Sequence, residues 1–199
     1  MDMTTTAAAT ALERKTGGNR AVEALRAQGI DTVFALPGVQ LDPLFNAFHD
    51  AGDGLRVIES RHEQGVAYMA FGYAEATGRT GTFAVVPGPG MLNAAAALST
   101  AFACRSPVLG LVGQVRSDRI GQPRGELHEI PDQSGILARL SRSNGLATAP
   151  DEVAPAIAAA GRALAKGDRP AVVELPPDVL AASCPEAPPV PGRSGPKAP

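Results

Sequence analysis

One carboxylate stands where a short apolar run passes into a helix. It is Glu63, in ESRHEQGVAYMAFGYAEATGR. At the first turn of a helix the free N–H groups and the macrodipole favour negative charge, so a helix start alone accounts for a glutamate there. The turns that follow carry Gly65, Ala67, Met69, Ala70 and Phe71. A carboxyl group at the edge of such an apolar wall has its charged form disfavoured, which suits it to exchanging a proton as an acid/base catalyst. Other chemistries lack their residues. There is no G-x-x-x-x-G-K-[ST], and the PGPG turn at 87–90 is neither a phosphate-cradling loop nor a G-x-G-x-x-G fingerprint. His49, His62 and His128 have no His or Cys partner at ligand spacing, so no metal site is expected. No G-x-S-x-G nucleophile elbow occurs.

The elements that must position Glu63 alternate. Helical periodicity with start and stop signals marks 17–29, 41–50, 62–78, 91–104 and 151–167. Short apolar runs mark strands at 32–36, 55–60, 82–86, 107–113 and 170–176, the first closed by Pro37-Gly38 and the third by PGPG. Residues 116–144 are irregular, with one short helix near SGILARLSR. Strands that read as continuous apolar runs between helices imply βαβ units, hence a three-layer α/β/α fold with a central, mostly parallel sheet of about six strands. The helix at 62–78, apolar all round, is expected to be buried on more than one side.

Composition bounds the rest. The chain of 199 residues is 44% hydrophobic and 19% charged, enough to bury one core and unlike a disordered segment. Its formal charge of -2 lacks the basic footprint of a nucleic-acid binder. Two cysteines, Cys104 and Cys184, suggest no disulfide framework, and neither a secretory leader nor a membrane-length apolar run is visible, so a cytoplasmic protein is expected. The expected organisation is a flexible arm over 1–16, a folded domain over 17–182 and a Pro-rich tail or linker over 183–199.

The run RHEQGVAYMAFGYAEATGRTG, followed by PGPGMLNAAAALSTAFACRSPVLGLVGQV and preceded by PGVQLDPLFNAF, closely resembles the pyrimidine-binding (Pyr) domain of thiamine diphosphate enzymes of the acetolactate synthase and 2-oxo-acid decarboxylase superfamily. The resemblance extends from about Gly17 to Leu180 and rests on two long motifs in the correct order. It implies that Glu63 is the glutamate that hydrogen-bonds N1′ of the cofactor's aminopyrimidine, the interaction that leads to loss of the thiazolium C2 proton and attack on a 2-oxo acid. It sets Gly88, Gly90 and Asn93 on the GPG-x-x-N turn beside the pyrimidine ring. It sets Pro37, Gly38 and Val39 on the loop after the first strand, with Val39 on the substrate side. Gln114 and His128 match polar positions that approach the site, and a surface-loop role suits either residue as well. A relative, benzoylformate decarboxylase, has a catalytic histidine where this sequence has Val86, so that mechanism is not carried over. The acetolactate synthases carry a lysine where Arg142 aligns.

The resemblance also implies a missing half. Relatives bind the diphosphate through Mg²⁺ in a second (PP) domain, marked by GDG followed some thirty residues later by Asn, and no GDG is expected in this chain. A PP-domain partner, in a separate polypeptide or a longer chain, is therefore expected, and with it a hetero-oligomer. The Ala-rich faces of 62–78 and 91–104 are candidates for that contact. Alone, the chain is expected to bind thiamine diphosphate weakly. Flavin (FAD) binding is left open, because relatives place most of those contacts in a central domain. The implied function is a lyase or carboligase acting on 2-oxo acids; the alternative is a noncatalytic binding or regulatory module that kept the fold.

Overall fold

A computed structural model describes residues 15–167, 170–184 and Gly192. Six strands form one sheet in the order β2-β1-β3-β4-β6-β5: β1 (Thr32–Ala35), β2 (Arg56–Glu59), β3 (Gly81–Val85), β4 (Val108–Gly113), β5 (Ser143–Leu146) and β6 (Ala171–Leu175). Every pairing is parallel. Helices α1 (Gly17–Ala27), α2 (Asp42–Asp50), α6 (Val153–Ala165) and α7 (Pro177–Ala181) cover one face, and α3 (Glu63–Thr77), α4 (Pro89–Cys104) and α5 (Gln133–Leu140) cover the other. The three-layer α/β/α architecture is the one the alternating apolar pattern calls for.

Strand side chains alternate between the two cores. Val33, Ala84, Leu109, Leu111 and Val173 join the α1 side, while Phe34, Phe83, Val85, Val112 and Val172 join the α3 side. The order also sets where a site can form. From β1 the chain crosses to β2 on one side, and from β2 it returns past β1 to β3 on the other. Adjacent β1 and β3 thus mark the reversal of winding, where a crevice opens outside the carboxyl ends of the strands.

Four features depart from, or add to, the sequence reading. The sixth strand is β5, which begins at the end of the stretch read as irregular; its Ser-Asn-Gly-Leu has weak strand propensity, and pairing with β6 along the sheet edge makes it a strand. Helix α3 is fully buried along one stripe only, at Val66, Ala67, Ala70 and Ala74, whereas Tyr68 is 38% exposed. The tripeptide Gly52-Asp53-Gly54 does occur, as a 3-10 turn just before β2 and thus at the opposite end of that strand from Glu63. No Asn follows it at the PP spacing: thirty residues on, Thr82–Ala84 lie inside β3. Finally, Thr16 caps α1 and bridges Ser183, and the Cys184 N–H donates to the Lys15 carbonyl, which closes the domain at both ends. The rest of the arm (1–14) and all of the tail after Cys184 except Gly192 lie outside the described residues. Both cysteines are free, and no described helix is long and apolar enough to cross a membrane.

Candidate active site

Glu63 is the first residue of α3. The helix starts there because the His62 ring accepts a hydrogen bond from the Gln64 N–H at Nδ1, satisfying one of the free donors of the first turn. Glu63 is half-buried, and its Oε2 accepts a hydrogen bond of 3.0 Å from Asn93 Nδ2, on the second turn of α4. Two site residues predicted separately thus meet directly. Among the described residues no hydrogen bond reaches Oε1.

The turn before α4 has a shape that only glycine allows. Gly88 is the N-cap, with φ 57° and ψ -116°, and a Cβ there would stand 2.2 Å from the His128 carbonyl oxygen. Pro89 then occupies the first helical position, where its missing N–H costs nothing. A Cβ on Gly90 would stand 2.6 Å from Val86 Cγ2 and 3.3 Å from Glu63 Oε1. The space beside the free carboxyl oxygen therefore exists because residue 90 has no side chain. On the other side of Val86, a Cβ on Gly38 would stand 2.4 Å from Cγ1. Val86, 8% exposed, is wedged between the loop after β1 and the start of α4. The apolar neighbour of Glu63 is accordingly Val86; Ala67 and Ala70, counted in its wall by the sequence reading, instead point into the core.

The remaining candidates divide. Pro37 is exposed, and Val39, 56% exposed, opens a 3-10 turn before α2. Buried Gln40, next to it, donates from Nε2 to the Leu127 carbonyl at 3.0 Å, and its Oε1 lies 3.1 Å from His128 Nδ1. This pins the 116–132 loop over the turn after β1, and His128 reaches the Gly88 turn through its backbone. Gln114 is buried, with Nε2 on Glu174 Oε2 at 2.9 Å and Oε1 on the Val115 N–H. Both ends of its amide are engaged there.

Three contributors were missed by sequence reasoning: Gln40, Gln133 and Glu174. Gln133 Oε1 accepts the Gly88 N–H at 2.9 Å, and its Nε2 donates to Glu174 Oε2 and to the Gly113 carbonyl. The available signal was Glu174 itself, a carboxylate inside the otherwise apolar strand PAVVELP.

The arrangement holds a carboxyl group with one oxygen fixed and the other facing a small apolar-walled space. That geometry suits donation to, or acceptance from, a ring nitrogen on a flat ligand. No cluster of His, Cys, Asp or Glu able to hold a metal occurs among the described residues.

The chain is similar to known proteins over most of its length. Residues 15–136 match the family model described as "Thiamine pyrophosphate enzyme, N-terminal TPP binding domain". The chain is 38% identical over 171 residues to the Probable 2-ketoarginine decarboxylase AruI of Pseudomonas aeruginosa, covering 84% of this chain and 30% of that protein. It is 36% identical over 169 residues to the acetolactate synthase isozyme 2 large subunit of Escherichia coli, with the same coverage of 84% and 30%. A solved thiamine diphosphate-dependent 4-hydroxybenzoylformate decarboxylase from Rhodococcus jostii RHA1 superposes with a TM-score of 0.77 at 29% identity, over 86% of this chain and 32% of that one. The chain thus spans about three tenths of the length of these relatives.

Proposed function

Because the chain belongs to the thiamine pyrophosphate enzymes, as their N-terminal TPP-binding domain, we propose that it forms the aminopyrimidine-binding half of an active site that acts on 2-oxo acids. Thiamine diphosphate, when bound, supplies a thiazolium carbon that adds to a carbonyl and then accepts the electron pair released as carbon dioxide leaves. Glu63 is the residue that holds the working proton, at Oε1, opposite a ring nitrogen. Asn93 fixes the other oxygen, so the carboxyl group cannot rotate away. The backbone at Gly90 lets a flat ring approach, and Val86, backed by Gly38, keeps water from the carboxyl group. The observation that carries this reading is the Glu63–Asn93 hydrogen bond beside the side-chain-free position 90.

The substrate class rests on the names of two relatives, since 2-ketoarginine and 4-hydroxybenzoylformate are both 2-oxo acids. The diphosphate and Mg²⁺ fall to a PP domain, supplied by a further stretch of the same polypeptide or by another chain. The outer face of α3 and α4, where Tyr68 and Leu92 are exposed, is the surface offered to an assembled partner.

Titrating thiamine diphosphate and Mg²⁺ into the chain alone, and into the chain assembled with its PP domain, tests the reading. Tight binding and carbon dioxide release from a 2-oxo acid are expected of the assembly only. An assembly that binds no thiamine diphosphate would instead favour a noncatalytic module.

A further inference from the structure

We propose that Glu174 is a positioning residue: it sets the orientation of the Gln133 amide, which holds the Gly88 peptide and with it the start of α4 that carries Gly90 and Asn93. The side chain is fully buried on β6, facing the α5 side of the sheet like Val172. A carboxyl group in an apolar strand is costly unless its oxygens are satisfied. Here they are satisfied by four donors: Gln114 Nε2 at 2.9 Å and Gln133 Nε2 at 3.0 Å on Oε2, and Ser134 Oγ at 2.6 Å and Asn144 Nδ2 at 2.9 Å on Oε1. These donors come from the end of β4, the start of α5 and β5, so the carboxyl group gathers three elements around the end of β6.

The consequence lies in Gln133. A primary amide has a donor end and an acceptor end, and only its partners decide which way it faces. Gln133, itself buried, directs its two N–H groups to Glu174 Oε2 and the Gly113 carbonyl, both at 3.0 Å, which leaves Oε1 as the acceptor for the Gly88 N–H at 2.9 Å. Gly88 is the helix cap in a left-handed conformation, and no side-chain hydroxyl or carboxylate of its own stabilises it. Its carbonyl accepts the Leu92 N–H at 2.9 Å, and the next residue, Asn93, holds Glu63. Each link is short and buried until the last, so a displaced Glu174 carboxyl group frees Gln133 to turn and loosens the Gly88 peptide.

The structural link stands without a cofactor; its catalytic consequence rests on the proposed function. Backbone hydrogen–deuterium exchange on the 199-residue chain separates the two. Glu174→Asp withdraws the carboxyl group by one methylene while keeping its charge, and Gln133→Met removes the acceptor for Gly88 at similar volume. Both variants are expected to exchange roughly ten-fold faster over 87–93, as loss of one buried hydrogen bond implies, with α1 and α6 unchanged. Wild-type exchange over 87–93 in either variant overturns the relay. So does acceleration spread equally through α1 and α6, which would make the pair a support of the whole sheet. In the assembled enzyme Glu174→Asp is expected to lower kcat several-fold with KM for the 2-oxo acid little changed, and to add nothing in a Glu63→Gln background. Local loosening with no such coupling would remove the catalytic consequence proposed for Glu174 and leave the structural link intact.

Discussion

Asn93 donates to Glu63 across 3.0 Å, joining the first turn of α3 to the second turn of α4 between residues thirty positions apart in sequence. The bond leaves one carboxyl oxygen committed and the other facing the space that a side chain at Gly90 would fill. Orientation and access are therefore set by different residues, and they can be tested separately.

Glu63→Gln keeps the shape and can still meet Asn93, but its amide cannot exchange a proton. Turnover of the assembled enzyme should fall by about a hundred-fold or more, the usual contribution of a positioned acid/base group, with the melting temperature little changed. Steady-state kinetics and a thermal melt measure both, and normal turnover would sink the proposed role.

Asn93→Ala releases Glu63 without removing it. A smaller loss of turnover, about ten-fold, is expected, together with a change in unfolding free energy of no more than about 0.5 kcal/mol, because the pair is exposed at one side. A loss as large as that of Glu63→Gln would show that Asn93 does more than orient the carboxyl group.

Gly90→Ala puts a Cβ 2.6 Å from Val86 Cγ2, and Val86 cannot retreat because Gly38 packs closely behind it. Destabilisation of about 1–3 kcal/mol is expected by urea unfolding, the range for overpacking a tight site. Adding Val86→Ala should recover part of that loss, whereas strict additivity of the two changes would contradict the wedge.

Asp178, on α7, accepts hydrogen bonds from Ser117 N–H at 2.9 Å and from Ser117 Oγ at 2.5 Å. Burial alone would raise its carboxyl group, but the Ser117 bonds outweigh burial and hold it below the ordinary value of 3.8. A lowered folded-state value means that the stabilisation is complete above pH 3.8 and is lost as pH falls through the lower, folded value. Ser117→Ala should thus be less stable than wild type at neutral pH, with the gap narrowing below pH 3.8 in denaturant titrations. A gap independent of pH would rule out the carboxylate as its source.

Phe83 on β3 is fully buried between the sheet and the α3–α4 layer. Phe83→Ala is expected to cost about 3–5 kcal/mol in unfolding free energy, since the cavity lies where α3, α4 and β4 already meet. A loss below about 1 kcal/mol would mean that the layer collapses into the space.

Much of this was legible in the chain itself. Continuous apolar runs such as TFAVV and PVLGLVG can only be strands buried on both faces, and the helices between them require a parallel sheet. The position of Glu63 at a helix start was readable from local pattern, and GPG-x-x-N marked the second turn through its resemblance to a known family. These are local properties, set by residues within a few positions of one another. The pairing of Glu63 with Asn93, the packing of Val86 against Gly38, the bond from Gln133 to Gly88 and the four donors around Glu174 join positions separated by 30 to 60 residues. No periodicity reports such contacts, because they exist only after the reversal of winding between β1 and β3 brings the ends of separate βα units together. Even β5 follows this rule: Ser-Asn-Gly-Leu has weak strand character of its own, and the free edge of β6 supplies the hydrogen bonds that make it one.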